Sequence, residues 1–317
     1  MKKYFSKATF KKGWGILKET FNGFMADKGL KLSASLSYYT IFSLAPLLLL
    51  IISLAGAFFG KEASEGRIFY EINELIGSQA AMQVQQIISN LELSGKTTLS
   101  VIIGAVTLVI GATSIFGEIQ DSINLIWKVK AKPQKGWLKL VKDRLLSGSI
   151  IIGLGFLLIV TLIVNGVLVA LNDILKSYFP DFTIILFNGI NIVVSFLVIT
   201  VLFGVIFKVL PDAKIAWKDV RAGAFFTACL FMLGRYVIGL YIVTTGAGSP
   251  YGAAGSIIII LLWVYYTAAI LYFGAEFTRA YANANGAQIV PAEYAVFIEV
   301  KETEKDVKAI PPTDEKK

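Results

Sequence analysis

The chain contains no histidine and a single cysteine, Cys229, and only 16% of its 317 residues are charged. Each scarcity excludes something. Without histidine, the side chain best suited to proton transfer near neutral pH is absent. One cysteine allows no intrachain disulfide, and no Cys/His set exists to hold a transition metal. No G-x-x-x-x-G-K-[ST] stretch occurs, so ATP-driven work by this chain alone is not expected. No catalytic set, metal site or cofactor is assigned. Whole stretches also lack charge, the first of them between Lys31 and Lys61.

Apolar residues fill the space. They make up 56% of the chain, with a mean hydropathy of +0.68, which places it in the membrane class. Six runs are long enough to cross a hydrocarbon core: about 35–59, 98–116, 146–171, 182–207, 222–244 and 252–275. The segments between them alternate in charge. Lysines from Lys2 to Lys31, the loop from Lys128 to Arg144, and the loop carrying Lys208, Lys214, Lys218 and Arg221 are basic. The other loops are poor in Lys and Arg, so both termini are expected in the cytoplasm. The net charge of +8 is then explained by orientation and anionic headgroups at the cytoplasmic face. Membrane lipids are the expected partners; nucleic acid is not, and a homo-oligomer stays open. The first apolar run is too long for a signal-peptide core, so no cleaved signal is expected.

The expected fold is therefore all-α, a polytopic membrane protein with six transmembrane helices. Residues 1–32 form a cytoplasmic basic segment, in which Trp14, Leu17, Phe21 and Phe24 recur at helical spacing and suit a helix flat on the bilayer surface. Residues 33–283 form the membrane domain. Its external segment, 61–97, patterns as a helical hairpin split at Gly77-Ser78. After the second span, Ile119, Ile123 and Ile126 share a face of an elbow helix, and Trp127 suits an interface. Residues 284–317 form a charged cytoplasmic tail, expected to be disordered after about residue 300.

Arg235 is the sharpest candidate, as the one charge deep within a span. An arginine in hydrocarbon costs at least ~2.5 kcal/mol on insertion scales. Asn165, Asn188, Asn191 and Thr107 fall at similar depth in the outer half of the bilayer. Two readings stay open: a polar layer that receives an anion, or a guanidinium that snorkels to lipid phosphate. The start of span one is rich in hydroxyls. Ser37 and Thr40 lie on one stripe with Ser33, while Tyr39, Ser43 and Pro46 lie on another. Pro46 leaves the carbonyl of Phe42 free, which suits protein contact or a wet cavity. Close packing through small residues explains the same stripe. On the cytoplasmic side the candidates are Glu118, Asn124 and Glu276, the last with Arg279 or a loop lysine as partner.

The run Ala34-Ser35-Leu36-Ser37-Tyr38-Tyr39-Thr40, continuing to Ser43-Leu44-Ala45-Pro46-Leu47, resembles the opening signature of the YihY/BrkB family. Phe116-Gly117 through Asn124-Leu125-Ile126-Trp127, Leu210-Pro211-Asp212, Leu233-Gly234-Arg235, Tyr251-Gly252-Ala253-Ala254-Gly255 and Gly274-Ala275-Glu276 are similar to its later motifs, in order. The resemblance covers about residues 15–285. It implies a six-helix bacterial inner-membrane protein, with export of an envelope lipid or solute as one suggested role. The family once carried a ribonuclease label. The residues themselves argue against that activity, since histidine is absent and Glu118, Asp121, Asp143, Asp212 and Asp219 form no evident two-metal set.

Three functions are ranked. First is a transporter or exporter of an anionic solute or envelope lipid, with Arg235 attracting the anion inside a polar intramembrane cavity. The alternative is a structural or assembly membrane protein without transport. A ribonuclease ranks last.

Overall fold

The computed structural model describes residues 7–42, 114–132, 180–246 and 255–299. The external hairpin at 61–97, the third span and most of the first and second lie outside these residues, as do Pro46, Thr107 and Asn165. The described part is largely helical. Helix α1 is Lys7–Ala26, and α2 covers 29–42. Helix α3 covers 114–126. Three long helices follow: α4 at Pro180–Val209, α5 at Trp217–Thr245 and α6 at Gly255–Ala284.

Segments of α4, α5 and α6 are long and apolar enough to cross a membrane: Ile192–Val209, Trp217–Tyr241 and Ile257–Ala284. They coincide with the last three apolar runs of the sequence. Helix α6 extends beyond its expected end near residue 275, to Ala284, carrying Glu276 and Arg279 with it. Helix α5 starts at Ala216, an extended N-cap residue without a side-chain cap bond. Asp219 lies in its first turn, where the helix dipole favours a carboxylate. Gly246 closes α5 in the left-handed conformation at φ 57°.

A reciprocal contact holds α5 against α6. Thr227 Oγ1 donates to the carbonyl of Gly223, one turn back, at 2.7 Å, and Thr278 Oγ1 donates to Gly274 likewise at 2.7 Å. Each threonine packs on the other helix's glycine. A Cβ on Gly223 would lie 1.8 Å from Thr278 Oγ1, and one on Gly274 would lie 1.9 Å from Thr227 Oγ1. The hydroxyls are satisfied within their own helices, so both can be buried at a close approach. Gly274→Val is expected to destabilise the protein by about 1–3 kcal/mol through overpacking. Gly239→Ala on α5, where a Cβ meets nothing within 4 Å, is expected to be neutral or slightly stabilising. Thermal unfolding midpoints in detergent compare the two.

Helix α1 does not stand free. Ile16, Thr20 and Phe24 are buried. Lys12 bonds to Asn285 and the Phe24 ring meets Phe273, so α1 runs antiparallel along the end of α6. The sequence expectation grouped Phe24 with Trp14, Leu17 and Phe21 on one bilayer face. Instead Phe24 is in the core, while Trp14, Leu17, Phe21 and Met25 stay exposed.

Helix α3 buries Ile119, Ile123 and Ile126, the face the spacing defines. Trp127 departs from expectation. It is 3% exposed, not interfacial, and its indole N–H donates to the carbonyl of Ala275 at 3.0 Å. A buried indole needs such an acceptor, and this one ties α3 to α6.

The chain after α6 adds two short antiparallel pairings that an all-α expectation leaves out. Strand β1, Val129–Ala131, pairs with β4, Ala295–Phe297. Strand β2, Ala213–Lys214, pairs with β3, Val290–Pro291.

Candidate functional site

Where the end of α3, the α4–α5 connection and the segment after α6 converge, they line a half-open cavity of about 1060 Å3. Its polar lining comes from Asp27, Lys28, Gln120, Asp121, Asn124, Lys128, Lys130 and Asp212, with Leu125, Val129 and Ile298 supplying apolar wall. Three aspartates and three lysines face one space, so the lining carries both signs in balance.

Asn124 and Asp212 form its most ordered part. The Asn124 Nδ2 donates to Asp212 Oδ2 at 2.8 Å, and Asn124 Oδ1 accepts from the Asp212 backbone N–H at 2.8 Å. The backbone donor fixes which way the amide points. Gln120 Nε2 donates to the other carboxylate oxygen at 3.1 Å. Asp212 is only 6% exposed. Its carboxylate is thus held by two neutral amides, and among the described residues no cation pairs with it. Gln120 and Asn124 reach it because positions four apart on α3 share a face.

A second cluster lies beside the first. Glu276, 1% exposed, meets Arg279 Nη2 through Oε2 at 2.8 Å. Arg279 also reaches Asp27 Oδ2, Nη1 lying 3.6 Å away, and donates to the carbonyl of Ile126. Lys128 pairs with Asp27. Two acids and two bases thereby join α1, α3 and α6. Gly23 makes the room, since a Cβ there would lie 2.7 Å from Glu276 Oε2 and 2.9 Å from Arg279 Nη2. At the outer edge, Lys214 bonds to Glu293 at 2.9 Å and holds that carboxyl below its usual range.

The candidates read from sequence scatter. Asn124 lines the cavity, and Glu276 belongs to the adjoining cluster, paired with Arg279. Glu118 is half-buried on α3 outside the cavity lining. Arg235 is half-buried on α5, with its guanidinium 5.9 Å from the centre of the neighbouring Tyr236 ring. Among the described residues it has no carboxylate partner. Asn188 and Asn191 lie on α4. The hydroxyl stripe of span one is bonded internally: Ser33 to Gly29, Thr40 to Leu36, and Ser37 across to the Leu261 carbonyl of α6, each at 2.8 Å. Tyr39 is exposed.

Asp27, Gln120, Lys128 and Arg279 carry most of the geometry; of these the sequence points only to Arg279, as a partner of Glu276. Some signal was present. Lys28 and Lys128 both take positive φ, 56° and 58°, just after a helix ends. A helix stop beside charged residues marks each place. The pairing between the places is tertiary.

Among known proteins, the model of the family described as Virulence factor BrkB matches residues 20–296. A UPF0761 membrane protein of Psychrobacter sp. is 26% identical over 268 residues, covering 83% of this chain and 47% of that protein. One of Alcanivorax borkumensis is 27% identical over 257 residues, covering 78% and 56%. One of Mannheimia succiniciproducens is 25% identical over 267 residues, covering 80% and 85%. The chain thus spans about half the length of the first two relatives and most of the third. No solved structure matches it.

Proposed function

We propose, from the premise that the chain belongs to the virulence factor BrkB family of membrane proteins, that it carries an anionic solute or lipid headgroup across the bacterial inner membrane. In this reading six helices cross the bilayer with both termini in the cytoplasm. Residues 33–283 form the membrane domain, 1–32 the basic segment before it and 284–317 the tail after it. The mixed-charge cavity is then a cytoplasmic vestibule. From Trp217 to Arg235, α5 rises about 27 Å, so the arginine stands near the far side of the bilayer. Lipid headgroups are expected at the cytoplasmic face. No nucleic acid is expected, and a homo-oligomer remains compatible.

The observation that carries this reading is the cavity itself. A space of about 1060 Å3 lined by three lysines and three aspartates is large enough to receive a solute or a lipid headgroup. Arg235 adds to it, as a cation on a membrane-length helix with no carboxylate partner among the described residues. A charge in that setting is a functional site by default.

Reconstituted liposomes test the proposal. A panel of anionic solutes and labelled anionic lipids is expected to contain at least one that the protein moves. Arg235→Ala is expected to lower its flux roughly 10- to 100-fold, the worth of a charge-assisted hydrogen bond to an anion. Folded protein that moves nothing across the panel would overturn it. The rival reading, a scaffold or assembly protein, has one specific observation in favour: Ser33, Ser37 and Thr40 all bond to backbone carbonyls and leave no polar lining on that face of α2. Catalysis ranks below both.

A further inference from the structure

The segment after α6 does more than trail away. It runs beside the cavity, whose wall includes Ile298, and is bonded on both sides. Ala292 N–H donates to the carbonyl of Asp212 at 2.9 Å, and Ile298 N–H donates to the carbonyl of Lys128 at 2.8 Å. Asp212 and Lys128 are two of the cavity's charged residues, and Ile298 forms part of its wall. Lys132 N–H in turn donates to Tyr294 at 2.7 Å. One stretch, residues 286–299, therefore bridges the connection after α3 and the connection after α4.

The bridge is built to come off. Its strands are two and three residues long, too short to persist alone. Val290 and Phe297 are exposed within it, and the Lys214–Glu293 pair at its edge is solvated, so that pair adds little. Segments with few buried contacts and exposed backbone bonds open first, well below the energy of global unfolding.

We propose that residues 286–299 are a releasable strap that controls access to the cavity. Seated, the strap holds the Lys128 and Asp212 backbones together and keeps Ile298 in the cavity wall. Released, it frees both connections, which stay joined through the Gln120 and Asn124 contacts to Asp212. This deepens the transport reading, in which the cavity is the vestibule, but the physical claim concerns access alone.

The test uses the full chain with Cys229→Ala and Val129→Cys, in inverted membrane vesicles that present the cytoplasmic face. The probe is a polymer-linked maleimide, and Val129 is chosen because it lines the cavity, pairs with the strap at Phe297 and is only 3% exposed while the strap is seated. Ala292→Pro and Ile298→Pro each remove one strap donor. Each is expected to speed labelling roughly five-fold, the population shift for one backbone hydrogen bond. Lys214→Cys with Val290→Cys, which face each other across β2 and β3, is expected to form a disulfide that slows labelling of the peptide carrying position 129. Reduction is expected to restore the rate. Cleavage after Glu293 by a glutamate-specific protease reports strap release independently. Labelling that stays unchanged while that cleavage rises would overturn the proposal. If labelling responds but liposomes show no flux, the strap stands and the transport reading fails. Flux with labelling blind to the strap leaves transport standing and removes the strap.

Discussion

Arg279→Ala is expected to destabilise the protein by about 3–5 kcal/mol, the cost of leaving buried charge unpaired. Glu276 is 1% exposed and meets Arg279 at 2.8 Å. Asp27 meets it too, at 3.6 Å, and shares Lys128. Removing the guanidinium leaves Glu276 with no cation in contact among the described residues and leaves the Ile126 carbonyl without its donor. Arg279→Lys should recover little, because an ammonium cannot serve Glu276, Asp27 and a carbonyl at once. Glu276→Met with Arg279→Met should fall far closer to the parent, since it removes both charges and keeps the volume. Thermal unfolding in detergent reads the series. A double variant as weak as Arg279→Ala would mean that the charges do more than neutralise each other.

The second large effect is expected from Asn124→Leu. Asn124 both donates to the Asp212 carboxylate and accepts from the Asp212 N–H. Leucine does neither and orphans a buried donor and a buried acceptor, each costing about 1–3 kcal/mol. A loss of roughly 3 kcal/mol follows. Gln120→Leu removes one longer bond, at 3.1 Å, and should cost visibly less. Asn124→Leu should also alter flux beyond its stability effect, because it changes the cavity wall. Unfolding midpoints and flux, measured at a temperature where all variants remain folded, separate the two consequences.

These residues also mark what the sequence can and cannot convey. The last three membrane-length helices follow from apolar runs, because a hydrocarbon core demands that length and composition. The buried face of α3 follows from the spacing of Ile119, Ile123 and Ile126. Glu276 and Arg279 are one helical turn apart, so their pairing is local. The contacts that build the cavity are not. Gln120 and Asn124 meet Asp212 across 92 and 88 residues, and no periodicity encodes such a meeting. The short strands were illegible for another reason, since two or three residues cannot display a period of two. Trp127 misled by its type. An indole suits a bilayer interface and a buried acceptor equally well, and only the position of Ala275 decides between them.

The account depends most on whether water reaches position 235 from the cavity side. Arg235→Cys in the Cys229→Ala background, treated in intact vesicles with a small membrane-impermeant anionic thiol reagent, measures this directly. Modification is expected when the reagent is added on the cytoplasmic side, where the cavity opens. Reaction from the external side alone, or with a lipid-soluble maleimide alone, would contradict it.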